Sequence, residues 1–440
     1  MSLEILDAAV LEPGDRSPEI PQMSEHAFKS EFLKTMQARG YIHQITHPVE
    51  LDAAALGGPI AAYIGFDATA SSLHVGHLIQ VMMLRRLQQA GHKPIVVMGG
   101  GTTKVGDPTD KDGQRPLLTH AQIQANIATI KGTFEKFLTF GDGPTDAVMI
   151  DNDEWLSKYG YVEFLREFGV HFTINRMLAF DSVKARLDRE QPMTFLEFNY
   201  MLMQSVDFLE LERRENCVLQ MGGSDQWGNI VNGVELIRRV DGKPAFGLTT
   251  PLLSTASGAK MGKTLGGAVW LNADMRSPYD YWQFWRNTED ADVGRFMRLF
   301  TDMPLDEIAR LEGLQGAQIN EAKKVLANAA TILLHGAEEA ANAQAKADKV
   351  HAQGLVVEDV RQVEFEWGDH ERRSVEALVK AAELANSLKE AKALIQAGNV
   401  SVNNSIAVEG THYSRDDVLP DTGMFRVQVG KKRVRDLKPN

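Results

Sequence analysis

The sequence is poor in the residues that would fasten or embed it. A single cysteine, Cys217, stands among 440 residues. That excludes an internal disulfide and fits a reducing compartment, and a lone thiol reads first as a small core hydrophobe. No run of roughly 18 apolar residues occurs, so no helical membrane span is expected. Positive charge is short as well: 47 Lys and Arg face 59 Asp and Glu, a net charge of -12. An undirected nucleic-acid binder is thereby excluded, because phosphate contacts call for a basic face. Any RNA affinity must be local, and the last 69 residues, Arg372 to Asn440, supply it with 12 Lys or Arg against 8 Asp or Glu, densest in Gly430 to Arg435. Residues Met1 to Ala27 hold six acidic side chains and only Arg16 on the basic side. They lack the Arg-rich, acid-poor character of an organelle transit peptide and any apolar signal core. They read as a loose arm, and a cytoplasmic protein is expected.

What is present belongs to an ordinary globular chain, 43% hydrophobic and 24% charged, long enough for two or three domains. A helix is expected from near Ser24 through Arg39. Ala61 to Phe66 reads as a short buried strand, the stretch from Leu73 as a helix, and Ile95 to Met98 as a second strand running into Gly99-Gly100-Gly101. Strand, loop, helix and strand in this order predict a parallel α/β sheet. The pattern from 118 to 207 is mainly helical, an insertion between sheet halves with a short strand near Val148 to Ile150. Val218 to Met221 restores the strand period, and a helix follows from Asp225 to Val240. The expected organisation is an arm at 1–27, an α/β domain at 28–272, a helical domain at 273–354, a linker at 355–371, and a final small unit at 372–440 with two helices followed by strands.

Three segments carry chemistry. His74-Val75-Gly76-His77 opens the first helix. A helix start offers unpaired N–H groups and partial positive charge to phosphate, Gly76 permits close approach, and two imidazoles can donate to phosphoryl oxygens. Read alone, the pattern more often serves surface or capping chemistry. Lys260-Met261-Gly262-Lys263-Thr264 lies between Ser254-Thr255-Ala256-Ser257-Gly258 and Gly266-Gly267. Two lysines on a flexible loop could neutralise a leaving polyphosphate; the bland alternative is a solvated basic loop. In the expected helix from Phe195 to Leu209, spacings of four and three place Tyr200, Gln204 and Asp207 on one face. Polar groups among Met201, Leu202, Met203, Val206 and Phe208 suit a pocket with a polar ligand, or else a solvent-facing stripe. Asp107 sits after the second strand, at the carboxyl end of the sheet where open α/β folds bind ligands, with Lys111 and Arg115 in the polar loop that follows.

In these segments the chain resembles class I aminoacyl-tRNA synthetases, and Tyr63-Ile64-Gly65-Phe66-Asp67-Ala68-Thr69-Ala70, Gly222-Gly223-Ser224-Asp225-Gln226-Trp227-Gly228-Asn229 and Tyr200-x-x-x-Gln204-x-x-Asp207 are similar to the bacterial tyrosyl branch. The resemblance runs from about Phe28 to the C-terminus, where Ser387 to Ile395, Gly398 and Val400 to Asn403 look like a small RNA-binding fold shared with a ribosomal protein. It implies a Rossmann-like catalytic domain with a helical insertion, an α-helical anticodon-arm-binding domain and a small α+β RNA-binding domain. It further implies that Tyr63 and Asp207 meet the phenol of L-tyrosine, that Asp107, Tyr200 and Gln204 hold its ammonium group, and that Gln226 lies at its carboxylate. Asp225 would contact the ribose, and Gly65, Asp67, Thr69, His74, Gly76, His77, Gly223 and Lys263 would border ATP. Lys111, Arg115, Lys260 and Lys263 would stabilise departing pyrophosphate beside Thr264. Magnesium would accompany ATP, with no tightly bound cofactor and no dedicated metal ligands; tRNA(Tyr) and a second copy of the chain are the implied partners. Against the family pattern, Ile64, Ala68, Gln80, Thr103 and Lys104 are departures. A tryptophanyl enzyme, a small-molecule nucleotidyltransferase using the same His-x-Gly-His device, and a non-catalytic RNA-binding relative are the alternatives.

Overall fold

In the computed structural model, the structure describes residues 27–107, 118–258, 261, 263–264, 267–352, 361–368, 371–403, 405–419, 422–430 and 433–440. The arm expected at 1–27 lies almost wholly outside them, as do Lys111, Arg115, Lys260 and Gly262. Two compact units divide between Ala340 and Ala341.

The first unit is built on six strands: β1 (Gln44–Ile45), β2 (Ala61–Phe66), β3 (Lys93–Met98), β4 (Val148–Asp151), β5 (Cys217–Gly223) and β6 (Phe246–Thr250), in the spatial order β1-β6-β5-β2-β3-β4. All neighbours run parallel except β1, which is antiparallel to β6. The expected parallel sheet is present, and its strands are apolar on both faces because helices cover both. Cys217 is buried at the start of β5, where burial pushes its thiol up out of reach of ionisation.

Helix α1 (Glu31–Arg39) starts later than the sequence suggests. Asp52 accepts the N–H groups of Lys29 and Ser30 at 2.8 and 2.9 Å, which holds them extended, and the Ser30 hydroxyl then caps the helix. Gly40 ends it in the left-handed region (φ 83), where a side chain would be strained. After α2 (Pro48–Gly57) comes α3 (Val75–Gln89), which His74 and His77 cap reciprocally. The insertion contains α4 (His120–Phe134), α5 (Asp153–Leu156), α6 (Tyr161–Glu167), α7 (Ile174–Leu178), α8 (Asp181–Asp188), α9 (Phe195–Phe198) and the start of α10 (Tyr200–Glu215). The single helix expected from Phe195 to Leu209 is two, because Thr194 and Glu197 form a capping box around one short turn that closes at Asn199. Then α11 (Trp227–Val240) follows a 3-10 turn at Ser224–Gln226, and the hairpin β7 (Lys263–Thr264) and β8 (Gly267–Ala268) precedes the helical segment. That segment is α12 (Pro278–Arg286), α13 (Val293–Phe300), α14 (Leu305–Glu312), α15 (Ile319–His335) and α16 (Ala337–Ala352), the last spanning the division between units.

In the second unit, β9 (Arg361–Phe365) and β10 (Arg372–Ser374) precede α17 (Val375–Ala381) and α18 (Leu388–Gln396). Then come β11 (Val400–Val402), β12 (Ser405–Ile406), β13 (His412–Ser414), β14 (Phe425–Val429) and β15 (Arg433–Pro439). The linker expected at 355–371 needs correction, since β9 lies inside that range and pairs in parallel with β15 in the sheet β12-β11-β14-β15-β9. Alternating Val363 and Phe365 pack on the core around Trp367, Leu378 and Phe425, with Trp367 stacked on Phe425 at 5.5 Å; that apolar face is why the segment pairs.

Candidate active site

A cavity of about 370 Å³ opens at the carboxyl ends of β2, β3 and β5, the place where an open parallel sheet leaves room for a ligand. The polar stripe of α10 faces it. Tyr200, Gln204 and Asp207 all line the cavity together with Tyr63, Gly65, Asp67, His74, His77, Asp107, Gly223, Asp225 and Gln226. Two expected residues do not: Thr69 is exposed on the loop after β2, and Gly76 lies in the first turn of α3, outside the cavity lining. Of Lys263 and Thr264 the backbone alone is described, while Met261 between the lysines is buried and lines the cavity.

At the closed end, Asp207 is fully buried and accepts from Trp155 Nε1 at 2.7 Å and Asn152 Nδ2 at 2.9 Å. Burial raises its carboxyl to about 7, against those two hydrogen bonds and with help from the negative charges of Asp67 and Asp151. Tyr63 is buried beside it with its ring against Phe208 at 5.3 Å, and burial together with the Asp207 charge pushes its hydroxyl well up. Among the described residues neither the Tyr63 hydroxyl nor Gln220 Oε1 has a hydrogen-bond partner. Unpartnered buried polar atoms beside a cavity mark where a polar ligand would supply the missing bonds.

Nearer the mouth, four amides and acids interlock. Gln226 Nε2 donates to Asp107 at 2.8 Å; Asn229 Nδ2 donates to Gln204 Oε1 at 3.0 Å and Gln226 Oε1 at 3.1 Å. Asp67 gathers the loops, accepting from Thr102 Oγ1 at 3.2 Å, Tyr200 OH at 3.4 Å and Asp107 N–H at 3.4 Å. The result is a small, negatively charged bowl suited to a cationic group. Gly99 sits close here: a Cβ would come within 2.6 Å of Asp67 Oδ1 and displace that carboxylate.

The histidines line the same cavity from the start of α3. His74 Nδ1 accepts the Gly76 N–H at 3.0 Å and His77 Nδ1 accepts the His74 N–H at 3.3 Å, their rings 3.9 Å apart. With Nδ1 accepting, each neutral ring carries its proton on Nε2 as a donor. Gly76 is required because a Cβ would meet the His74 ring at 2.7 Å, a reason closer to hand than ligand approach.

The family model for class I tRNA synthetases (W and Y) matches residues 55–352. A tyrosine–tRNA ligase of Caulobacter vibrioides is 68% identical over 94% of this chain and 99% of its own, and one of Zymomonas mobilis 60% identical over 92% and 97%. Among solved structures, a C-terminally truncated mitochondrial tyrosyl-tRNA synthetase of Aspergillus nidulans superposes with a TM-score of 0.66 at 29% identity, covering 73% of this chain and 94% of that one. The chain belongs to the bacterial tyrosine–tRNA ligases of class I.

Within this tyrosine–tRNA ligase family two of the sequence departures explain each other. The buried Thr103 hydroxyl accepts the Ala68 N–H at 2.9 Å, which ties the two positions together. Lys104 pairs with Asp153 at 2.6 Å on the outer side of the same loop. Gln80 lines the cavity near the histidines, and with its amide nitrogen turned inward it donates to the carbonyls of Gly76 and His77 at 3.1 Å. Sequence reasoning missed Asn152, Trp155 and Gln220 altogether. Asn152 and Trp155 lie 55 and 52 positions from the carboxylate they hold, and no local spacing signals such a contact.

Proposed function

We infer that this chain activates L-tyrosine with ATP, giving tyrosyl-adenylate and pyrophosphate, and transfers the tyrosine to the 3'-terminal adenosine of tRNA(Tyr). Family membership and the paired Tyr63 and Asp207 at the closed end of the cavity carry this reading. The tyrosine carboxylate attacks the α-phosphorus of ATP; the new P–O bond forms as the bond to pyrophosphate breaks. A hydroxyl of the terminal ribose then attacks the acyl carbon and AMP leaves. No side-chain nucleophile takes part, so positioning and electrostatics supply the rate.

In our reading Asp207 and Tyr63 receive the phenol, and Asp107, Tyr200 and Gln204 the ammonium group, with Gln226 at the carboxylate. Gly65, Asp67, Gly223 and Asp225 border ATP, and His74 and His77 donate to its phosphates. Lys111, Arg115, Lys260, Lys263 and Thr264 stabilise the leaving pyrophosphate. Magnesium would accompany ATP and offset the charge of its phosphates, as a hard cation that favours oxygen ligands. We assign residues 28–272 to catalysis, 273–354 to the anticodon arm, and the C-terminal sheet and helices from β9 onward to further RNA contact. Among the described residues no helix is long and apolar enough to cross a membrane. On its membership of the bacterial tyrosine–tRNA ligases we place the protein in the cytoplasm.

ATP–pyrophosphate exchange measured against all twenty amino acids should respond to tyrosine; exchange with tryptophan and none with tyrosine would sink the reading. Because β9 belongs to the C-terminal sheet, the clean truncation falls after Ala352 rather than at Arg372. That variant should keep exchange and lose tRNA charging, and unchanged charging would remove the RNA role of the second unit.

We also propose a homodimer through the insertion. Exposed apolar side chains concentrate between Tyr161 and Leu196, including Val170 at 65% and Phe195 at 65% exposure, the density of an interaction surface. Ile174→Asp together with Phe195→Asp should halve the mass seen by analytical ultracentrifugation, and an unchanged mass would place the interface elsewhere.

A further inference from the structure

The lysine loop leaves the sheet after β6 and returns to the start of α3, and its two legs are held differently. The returning leg is tied to the histidine segment itself: Val75 N–H donates to Val269 O and Leu271 N–H to Leu73 O, both at 2.9 Å, with His74 bridged to Trp270. The outgoing leg is held by the start of α13. There the buried Asp292 carboxylate accepts the Ala256 N–H at 2.7 Å. Arg295, one turn on, donates to the Ser254 carbonyl and to Asp292 at 2.8 Å, and Glu289 accepts from the Ser257 hydroxyl at 2.6 Å. From these anchors the chain turns at Gly258 and comes back so that Met261 N–H donates to Leu253 O at 3.1 Å, with the Met261 side chain in the cavity wall.

The far end of α13 is fixed as well, and to the other signature segment. Arg86, in the last turn of α3, donates to the Thr301 carbonyl and pairs with Asp302 at 2.6 Å. Arg39 caps the same helix end through the carbonyls of Arg298 and Thr301, both at 3.1 Å. One short helix thus grips the root of the lysine loop at its start and the rear of the histidine helix at its end. The arginine of the Asp292–Arg295 pair is part-exposed and its carboxylate buried, so the pair adds little stability, and its part here is to aim the carboxylate at Ala256.

We infer that Asp292, braced by Arg295, is a positioning residue for adenylate formation, holding the root of the loop that carries Met261 and Lys263. The inference rests on the reading of Lys263 as a pyrophosphate-stabilising residue. The test uses the full chain, with single-turnover adenylate formation at saturating ATP and tyrosine affinity by equilibrium dialysis. Asp292→Ala should slow adenylate formation by about tenfold or more, since small misplacements of catalytic groups cost rate steeply, while tyrosine affinity stays within about twofold. Asp292→Asn, which keeps an oxygen for the Ala256 N–H, should recover most of the rate. In a Lys263→Ala background, Asp292→Ala should add less than about twofold, the non-additivity of residues that act through one another. Fully additive losses, or an equal loss of tyrosine affinity, overturn the inference. Should Lys263→Ala run as fast as the parent while Asp292→Ala remains slow, the reading of Lys263 falls, and the route through that lysine with it. If Asp292→Ala does not fold, Arg295→Ala, which leaves the carboxylate on Ala256, runs the same cycle with the same deciding outcomes.

Discussion

Asp207→Asn should weaken tyrosine binding by on the order of a hundredfold, equivalent to about 2–3 kcal/mol for the loss of a charged acceptor. The reason lies in the donors around it. Trp155 Nε1 and Asn152 Nδ2 both point at the carboxylate, and a phenol would bring a third hydrogen. A carboxylate accepts all three, whereas an amide has one oxygen and turns two further hydrogens toward donors. The same crowding makes binding depend on pH. With the carboxyl raised to about 7 by burial, the proton it takes up at lower pH must lie against one of those donors. Tyrosine affinity should therefore fall by up to about tenfold per pH unit below 7 and level off above it. Equilibrium dialysis from about pH 5.5 to about 8.5 reads this directly, and a flat profile in the parent enzyme would discard Asp207 as the phenol acceptor. Stability should run the opposite way. A carboxyl whose folded value lies above its unfolded value of about 3.9 stabilises the fold most below that lower value, and the contribution is lost as pH rises through about 7. The melting temperature of the parent should thus fall relative to that of Asp207→Asn as pH rises from about 5 to about 8.

His77→Ala should slow adenylate formation by roughly 10²–10³ while leaving tyrosine affinity nearly unchanged, because a donor to developing phosphoryl charge acts in the transition state alone. The geometry makes the case: Nδ1 of His77 is taken by the His74 N–H, which fixes the ring and orients the Nε2 edge. His74 performs a second task as the cap of α3. Its alanine variant would lose helix stability along with chemistry, by about 1 kcal/mol, so His74→Asn, which can still cap, is the better probe. Single-turnover kinetics with an independent tyrosine titration separates the two effects. Equal losses in rate and in tyrosine affinity would show that the histidines shape the pocket and do not act on the phosphates.

Local pattern made much of this legible. Ala61 to Phe66 announced β2 because a short apolar run ending in turn residues has few other fates. Tyr200, Gln204 and Asp207 announced a cavity wall because their spacing follows the helix, a point the break at Asn199 did not disturb. What stayed hidden depends on chain segments meeting across the fold. Nothing near Trp155 in sequence names Asp207 as the partner of its indole N–H. Asp292 and Arg295 carry no signal of their own in the sequence, because their grip on Ala256 and Ser254 spans 36 and 41 positions. The start of α1 was misplaced for a similar reason, since Asp52, more than twenty residues on, decides where that helix begins. The strand at Arg361–Phe365 was taken for a linker because acidic neighbours masked an alternation that acquires meaning only beside β15.

The buried thiol of Cys217 has a use of its own. It sits in the strand next to β2 at the centre of the sheet, and burial keeps it from forming the thiolate that alkylating reagents attack. A reagent in solution therefore has no target until β5 parts from its neighbours. The rate at which the native protein acquires one label becomes a clock for the opening of its catalytic core, and a tightly held adenylate should slow that clock without touching the sulfur.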